Sequence, residues 1–208
     1  MARVASVAVV LRRGPASWAQ LTLWDTLRDE LTPGAWFRGR IYEPKCDLSP
    51  DGQLFVYAAF QGRRFRTSTT DSWTAVSRPP WLHALVLWPM GTTYGGGGRF
   101  VDNRRLVLRG AGKAHPEHPV QGIEVVPGEA KYHRSTGEVE GAEWSGRDQR
   151  DRLVFASRGC LFARTGRGDV KLADFTSETP EPRAAPEWAT RGPGDRTRRR
   201  ARSGARRP

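Results

Sequence analysis

Three times along this chain a polar, aspartate-bearing turn hands over to a short apolar run, and no stretch before residue 176 sustains a helical period over three turns. The segments are SPDGQLFVYAA, FVDNRRLVLRG and GRDQRDRLVFAS, beginning at residues 49, 100 and 146. Asp, Asn, Pro and Gly close turns through side-chain and backbone geometry, and the aromatic and β-branched residues that follow suit a strand. The spacing is close to the roughly 40–50 residues of one four-stranded propeller blade. A cadence of this kind predicts an all-β fold of propeller-like antiparallel sheets, three to four blade-like units whose ring need not close, spanning residues 1–176.

Individual strands follow from the same reading. Residues 4–11 and 19–24 form a pair joined across RRGPASW, and residues 29–34 (DELTPG) supply a turn before a third strand at 35–42. Further strands are expected at 54–60, 84–88, 106–109, 153–156 and 160–163. Residues 111–145, rich in Gly, His and Glu, read as a long excursion between sheets. From 177 to 208 Pro, Glu, Arg and Gly dominate, and apolar content is too low to offset the entropy of ordering. A disordered, dispensable basic tail is expected there.

Composition removes several function classes. No run of about 18 apolar residues is present, and the apolar start passes straight into RRGP, so it reads as a strand and not a leader; a cytoplasmic protein is expected. Two cysteines, Cys46 and Cys160, are too few for a disulfide framework and read as reduced thiols in or near the core. The formal charge of +12 overstates the basic character of the folded part, because eight Arg and one Asp lie within residues 191–208. Arg outnumbers Lys 30 to 4, a skew that GC-rich codon usage produces without any demand for phosphate contact. Nucleic acid is therefore expected to bind through the tail only, and without sequence preference.

Each chemical motif has a plainer reading beside it. The glycine run at 95–98 is followed by a strand and has no Lys-Ser/Thr pair, so a tight bend fits better than a phosphate loop. His115 and His118 are flanked by proline, which rules out the helical HExxH geometry, and with His133 they read as solvated loop; no metal and no cofactor is expected. The stretch DSWTAVSRPPWLHALVLW at 71–88 concentrates Trp73, Trp81 and Trp88 with Arg78 and His83. Aromatic and arginine side chains together are what binding hot spots use, although core packing explains the tryptophans equally well. Arg40, Asp47, Arg78, Trp81 and His83 are the candidate ligand-binding residues. No catalytic residue stands out.

The motifs RRGP (12–15), LWDT (23–26), GAWFRGRIY (34–42), CDLSPDG (46–52), RPPWL (78–82) and GGGGRF (95–100) together resemble a family of uncharacterised bacterial proteins, over residues 4–190. More loosely, LWD at 23–25 is similar to the strand ending of WD-repeat propellers, and SPDG followed by a strand is similar to TolB-like propellers. Those likenesses imply a propeller-like fold and no particular activity. Two functions stay open. One is a non-enzymatic binding or scaffold module whose loops recognise a protein or a small acidic ligand. The alternative is a hydrolase with its site in the glycine-rich and histidine-containing loops.

Overall fold

The computed structural model describes residues 1–62, 70–110, 112–131 and 135–193. They form an all-β molecule of four sheets taken in chain order. Sheet I holds β1 (Val7–Arg13), β2 (Trp18–Asp25) and β3 (Glu30–Arg38). Sheet II holds β4 (Arg40–Ile41), β5 (Asp47–Leu48), β6 (Phe55–Phe60), β7 (Ser72–Ser77) and β8 (Val86–Pro89). In sheet III are β9 (Gly98–Phe100), β10 (Arg105–Leu108) and β11 (Glu124–Val125). Sheet IV is the meander β12 (Trp144–Arg147), β13 (Leu153–Ser157), β14 (Cys160–Thr165) and β15 (Gly168–Asp174). Pairing is antiparallel except between β10 and β11, where residues 109–123 supply the crossover that a parallel pair needs. Among the described residues, no helix is long and apolar enough to cross a membrane.

The turn repeat has a common hydrogen-bonding basis. Asp102 Oδ1 accepts from the N–H groups of Arg104 and Arg105, and Asp148 Oδ1 from those of Arg150 and Arg152. Asp51 Oδ1 accepts from Gln53 N–H, while Ser49 Oγ accepts from Leu54 N–H. Sheet I carries a fourth such turn, in which Asp25 Oδ1 accepts from Leu27 and Arg28. Each aspartate thus occupies donors that the ladder leaves free at a strand end.

Two boundaries differ from those read off the sequence. Of the DELTPG segment only Asp29 belongs to a turn; Glu30 begins β3, with Pro33 paired opposite Thr22. β3 is an edge strand of sheet I, the position where a missing N–H costs no ladder bond. Gly34 is required for a second reason: a Cβ there would stand 2.1 Å from the Pro80 carbonyl, which accepts a hydrogen bond from Ala35 N–H. The expected strand at 35–42 is cut at Gly39 into β3 and β4, which belong to different sheets.

Strand alternation sets how the sheets stack. Val9 and Leu11 of β1 pack with Phe55, Tyr57, Trp73 and Leu87 of sheet II. Ala8 and Val10 point the other way, onto Val154, Leu161 and Ala163 of sheet IV. Sheet II in turn puts Val56, Val76 and Trp88 against Phe100 and Leu106 of sheet III. The last sheet therefore packs back on the first, and none of these three clusters joins sheets III and IV.

Residues 1–6 run among the aspartate turns. Val4 and Ala5 donate to the Pro50 carbonyl, and Arg3 donates to the Phe100 carbonyl. Gln149 Nε2 donates to the carbonyls of Ala2, Ala5 and Val7, while its Oε1 accepts from Thr26 Oγ1. At the far end, residues 177–193 were expected in the tail but carry placed contacts. They include the helical turn α1 (Glu187–Thr190), fully buried Ala189, and Arg191 and Gly192 carbonyls that accept from Arg78. The arginine-rich remainder, and the nucleic-acid binding expected of it, lie in 194–208, outside the described residues.

Sheets I and IV are further joined by Asp29, which accepts from Arg152 at 2.7 and 2.9 Å and from Arg150 at 2.8 Å. Partial burial alone would raise the Asp29 pKa, but those hydrogen bonds outweigh it and hold the carboxyl at about 2. The folded pKa is thus depressed, so its stabilisation is present above the ordinary carboxyl pKa and fades as pH falls through the folded value. Discounted for solvent screening at this partly exposed site, the shift is worth about 1 kcal/mol at pH 7. Asp29→Asn is expected to lower the melting temperature at pH 7 by roughly 2–4 °C, a difference that shrinks between about pH 4 and pH 2 in thermal melts across that range.

Candidate functional site

A cavity of 1510 Å³ opens around the tip of the β1–β2 hairpin, between sheets I, II and IV. Its lining comes from the strand ends opposite the aspartate turns. On the sheet I and II side stand Trp18, Ile41, Tyr42 and Phe60; on the sheet IV side stand Trp144, Leu161 and Phe175.

Four arginines line it: Arg12, Arg13, Arg38 and Arg40. Arg13 is paired with Glu43 at 3.0 Å, and Arg12 with Glu178 at 3.4 Å. Glu143, the other lining carboxylate, accepts from Arg158 N–H at 2.9 Å. Arg38 and Arg40 are exposed and have no carboxylate partner among the described residues. The Arg40 guanidinium lies 4.9 Å from the centre of the Tyr42 ring, a cation–π contact that orients it without neutralising it.

Gly39 holds those two arginines in place. A Cβ there would approach the Phe60 carbonyl to 2.6 Å, and Gly39 N–H donates to the Ser17 carbonyl. The segment between β3 and β4 is pinned against the hairpin tip, and the side chains on either side of Gly39 project at the cleft. The tip itself is strained: Ala16 and Ser17 both hold positive φ, +50° and +69°, which costs a non-glycine residue of order 1 kcal/mol each.

Of the five residues singled out in the sequence, only Arg40 lines this cleft. Asp47 is buried at the centre, where Oδ2 accepts from Phe100 N–H at 2.8 Å and lies 3.5 Å from Arg3 Nη1. Arg78 and Trp81 share one loop, in which Trp81 N–H donates to the Arg78 carbonyl; the Arg78 guanidinium is taken up by the Arg191 and Gly192 carbonyls. Trp73 and Trp88 are core residues. His83 packs edge-on to His118, with ring centres 6.3 Å apart. Partial burial, then the neighbouring His118, lowers the His83 pKa, so the ring is neutral at pH 7. His115 is buried and not solvated as expected, while His133 lies outside the described residues.

The glycine run is a tight bend. Gly96 and Gly97 have positive φ, Gly97 N–H donates to Thr74 Oγ1, and a Cβ on Gly97 would sit 2.3 Å from the Lys45 carbonyl. Both cysteines are free; burial raises the Cys46 thiol pKa, and burial with the nearby Asp174 raises that of Cys160. The signal for Arg38 was present in the sequence, as RGR at 38–40. Nothing in it marked Trp18, Trp144 or Phe175 as neighbours of that pair, because they arrive from three other strands or their ends.

No known family matches the chain, and neither a curated protein nor a solved structure matches it.

The division of labour between Asp47 and Arg40 is measurable. Asp47→Ala removes a buried carboxylate from two donors and is expected to cost about 3–5 kcal/mol in urea unfolding. Arg40→Ala, at an exposed position, is expected to stay within about 0.5 kcal/mol of the native chain.

Proposed function

We propose that this chain is a non-enzymatic binding module whose cleft between sheets I, II and IV receives a ligand carrying acidic groups. One observation carries the proposal: Arg38 and Arg40 stand exposed and, among the described residues, without a carboxylate partner at a cavity walled by Trp18, Tyr42, Phe60 and Trp144. Arginine beside aromatic rings is the pairing that concentrates binding energy, and the pinned Gly39 segment lowers the ordering cost of binding. The four sheets read as blade-like units around residues 1–6, and sheet IV packing back on sheet I supports that arrangement. A propeller-like scaffold with loops at one end suits a module that presents a site.

The hydrolase alternative finds less support at this cavity. Among the described residues no histidine lines it, and the raised Cys160 pKa keeps that thiol protonated and weakly nucleophilic. Glu43 and Glu143 are each already engaged, by Arg13 and by Arg158 N–H.

The test uses 8-anilinonaphthalene-1-sulfonate, which joins a flat apolar ring to one anionic group. Saturable fluorescence enhancement is expected with the native chain. The Arg38→Ala/Arg40→Ala variant should bind about tenfold more weakly, the loss of one charge-assisted hydrogen bond. Arg28→Ala, which removes an exposed arginine paired with Asp25 at the opposite strand ends, serves as the control and should leave binding unchanged. Equal affinity in the double variant and the native chain would exclude the cleft as an anion site.

A further inference from the structure

The chain already seats one acidic segment of its own at this cleft. After β15 ends at Asp174, the chain turns through Phe175 and brings Glu178 to Arg12. Arg12 reads that residue twice: Nη1 meets the carboxylate Oε2 at 3.4 Å, and Nη2 donates to the main-chain carbonyl at 3.2 Å. The guanidinium also lies 5.5 Å from the centre of the Trp36 ring, a cation–π contact. The segment that follows, TPEPRAAP at 179–186, forms no regular element. Its three prolines favour an extended backbone with free carbonyls. The nearby Glu181 is paired with Arg183 at 2.6 Å.

Arg12 lies on the same face of sheet I as Arg38. In the sheet I register Arg12 lies opposite Gln20, and Gln20 opposite Trp36. Arg38 follows Trp36 by two residues, so strand alternation places it on the same face. Two strand spacings across and two residues along separate Arg12 from Arg38 by roughly 12 Å at the backbone. An extended peptide covers that span in about four residues. The neighbouring Gln20 Oε1 is buried without a hydrogen-bond partner.

We propose that the occupant of the cleft is an extended acidic peptide segment of a partner protein, and that Glu178 is an intramolecular stand-in for its first carboxylate. The proposal rests on the anion-site reading above and names its ligand class. Arg38 and Arg40 receive further carboxylates of the partner, spaced three to four residues along its chain. When the partner's first carboxylate takes Arg12, the 177–182 segment leaves it. Glu178 therefore competes with the partner, and its contact weakens binding in the resting chain.

The probe is the acetylated, amidated peptide Ser-Glu-Thr-Pro-Glu-Pro, the chain's own 177–182 sequence, with its glutamine analogue as control. Both are titrated against the full chain while the arginine side-chain Nε resonances are followed by NMR. The glutamate peptide is expected to shift Arg38 and Arg40, with affinity falling as salt rises. Glu178→Gln should tighten it about threefold, the scale of one long, partly buried ion pair that keeps its main-chain contact, and bring Arg12 into the set that shifts. Arg38→Ala/Arg40→Ala should weaken it at least fivefold. Thermal melts confirm that each variant is folded. Equal binding of the glutamine analogue, or no gain in Glu178→Gln, would overturn the peptide reading. If the sulfonate dye still binds in either case, the anion site stands and only the ligand class fails; if neither probe binds, both fail. An oligothymidylate that displaces the dye more effectively than the peptide would assign the cleft to single-stranded nucleic acid and also overturn the proposal.

Discussion

The buried Asp47 carboxylate ties together three parts of the molecule that no single sheet could join. It sits in sheet II, accepts from Phe100 N–H of sheet III, and faces Arg3 of the N-terminal segment. A carboxylate that deep is costly unless charge and hydrogen bonds compensate it, so its partners are under tight geometric control. The same segment lends the carbonyls of Ala2, Ala5 and Val7 to Gln149, which carries the connection to sheet IV. Six irregular residues thus have their backbone groups satisfied by the turns of the surrounding sheets. In return they orient those turns.

That arrangement has a consequence at the opposite strand ends. Aspartate turns and N-terminal segment occupy one end of the sheets, while the β1–β2 tip and the β13–β14 turn approach each other around a cavity at the other. Apolar side chains deep between sheets I and IV, such as Trp24, Val154 and Leu161, close the bottom of that wedge. Nearer the opening the lining changes to arginine and aromatic residues. Two non-glycine residues with positive φ, Ala16 and Ser17, lie at this tip, and strain of that kind persists only where surrounding contacts impose it. Local strain, unpaired charge and open volume coincide at one place.

Legibility varied with the range of the interaction involved. Asx-type turns are local, with donor and acceptor two to four residues apart, and the three repeats beginning at 49, 100 and 146 were visible for that reason. The fourth, at Asp25, was hidden because LWDT reads as the end of a strand. Pro33-Gly34 misled in the other direction. It carries turn residues, yet Pro33 sits on an edge strand, and Gly34 exists to let the Pro80 carbonyl approach. β7 was overlooked because DSWTAVS drew attention as a binding stretch, whereas all six of its strand residues are buried.

By itself the sequence determined the class of fold, the positions of the aspartate turns and the absence of any long helical period, because each depends on residues close together in the chain. It also marked Arg40 as a candidate, since the charged run Arg38-Gly39-Arg40 is a local pattern. Tertiary structure decided everything that depends on which sheet faces which. It consigned Asp47 to the core and gave Arg78 to the carbonyls of Arg191 and Gly192. It paired Arg12 with Glu178 across 166 positions of chain, and left Arg38 beside Arg40 with no carboxylate partner among the described residues. Charge compensation is a property of distance in space, and strand patterning carries no information about which distant acid will arrive.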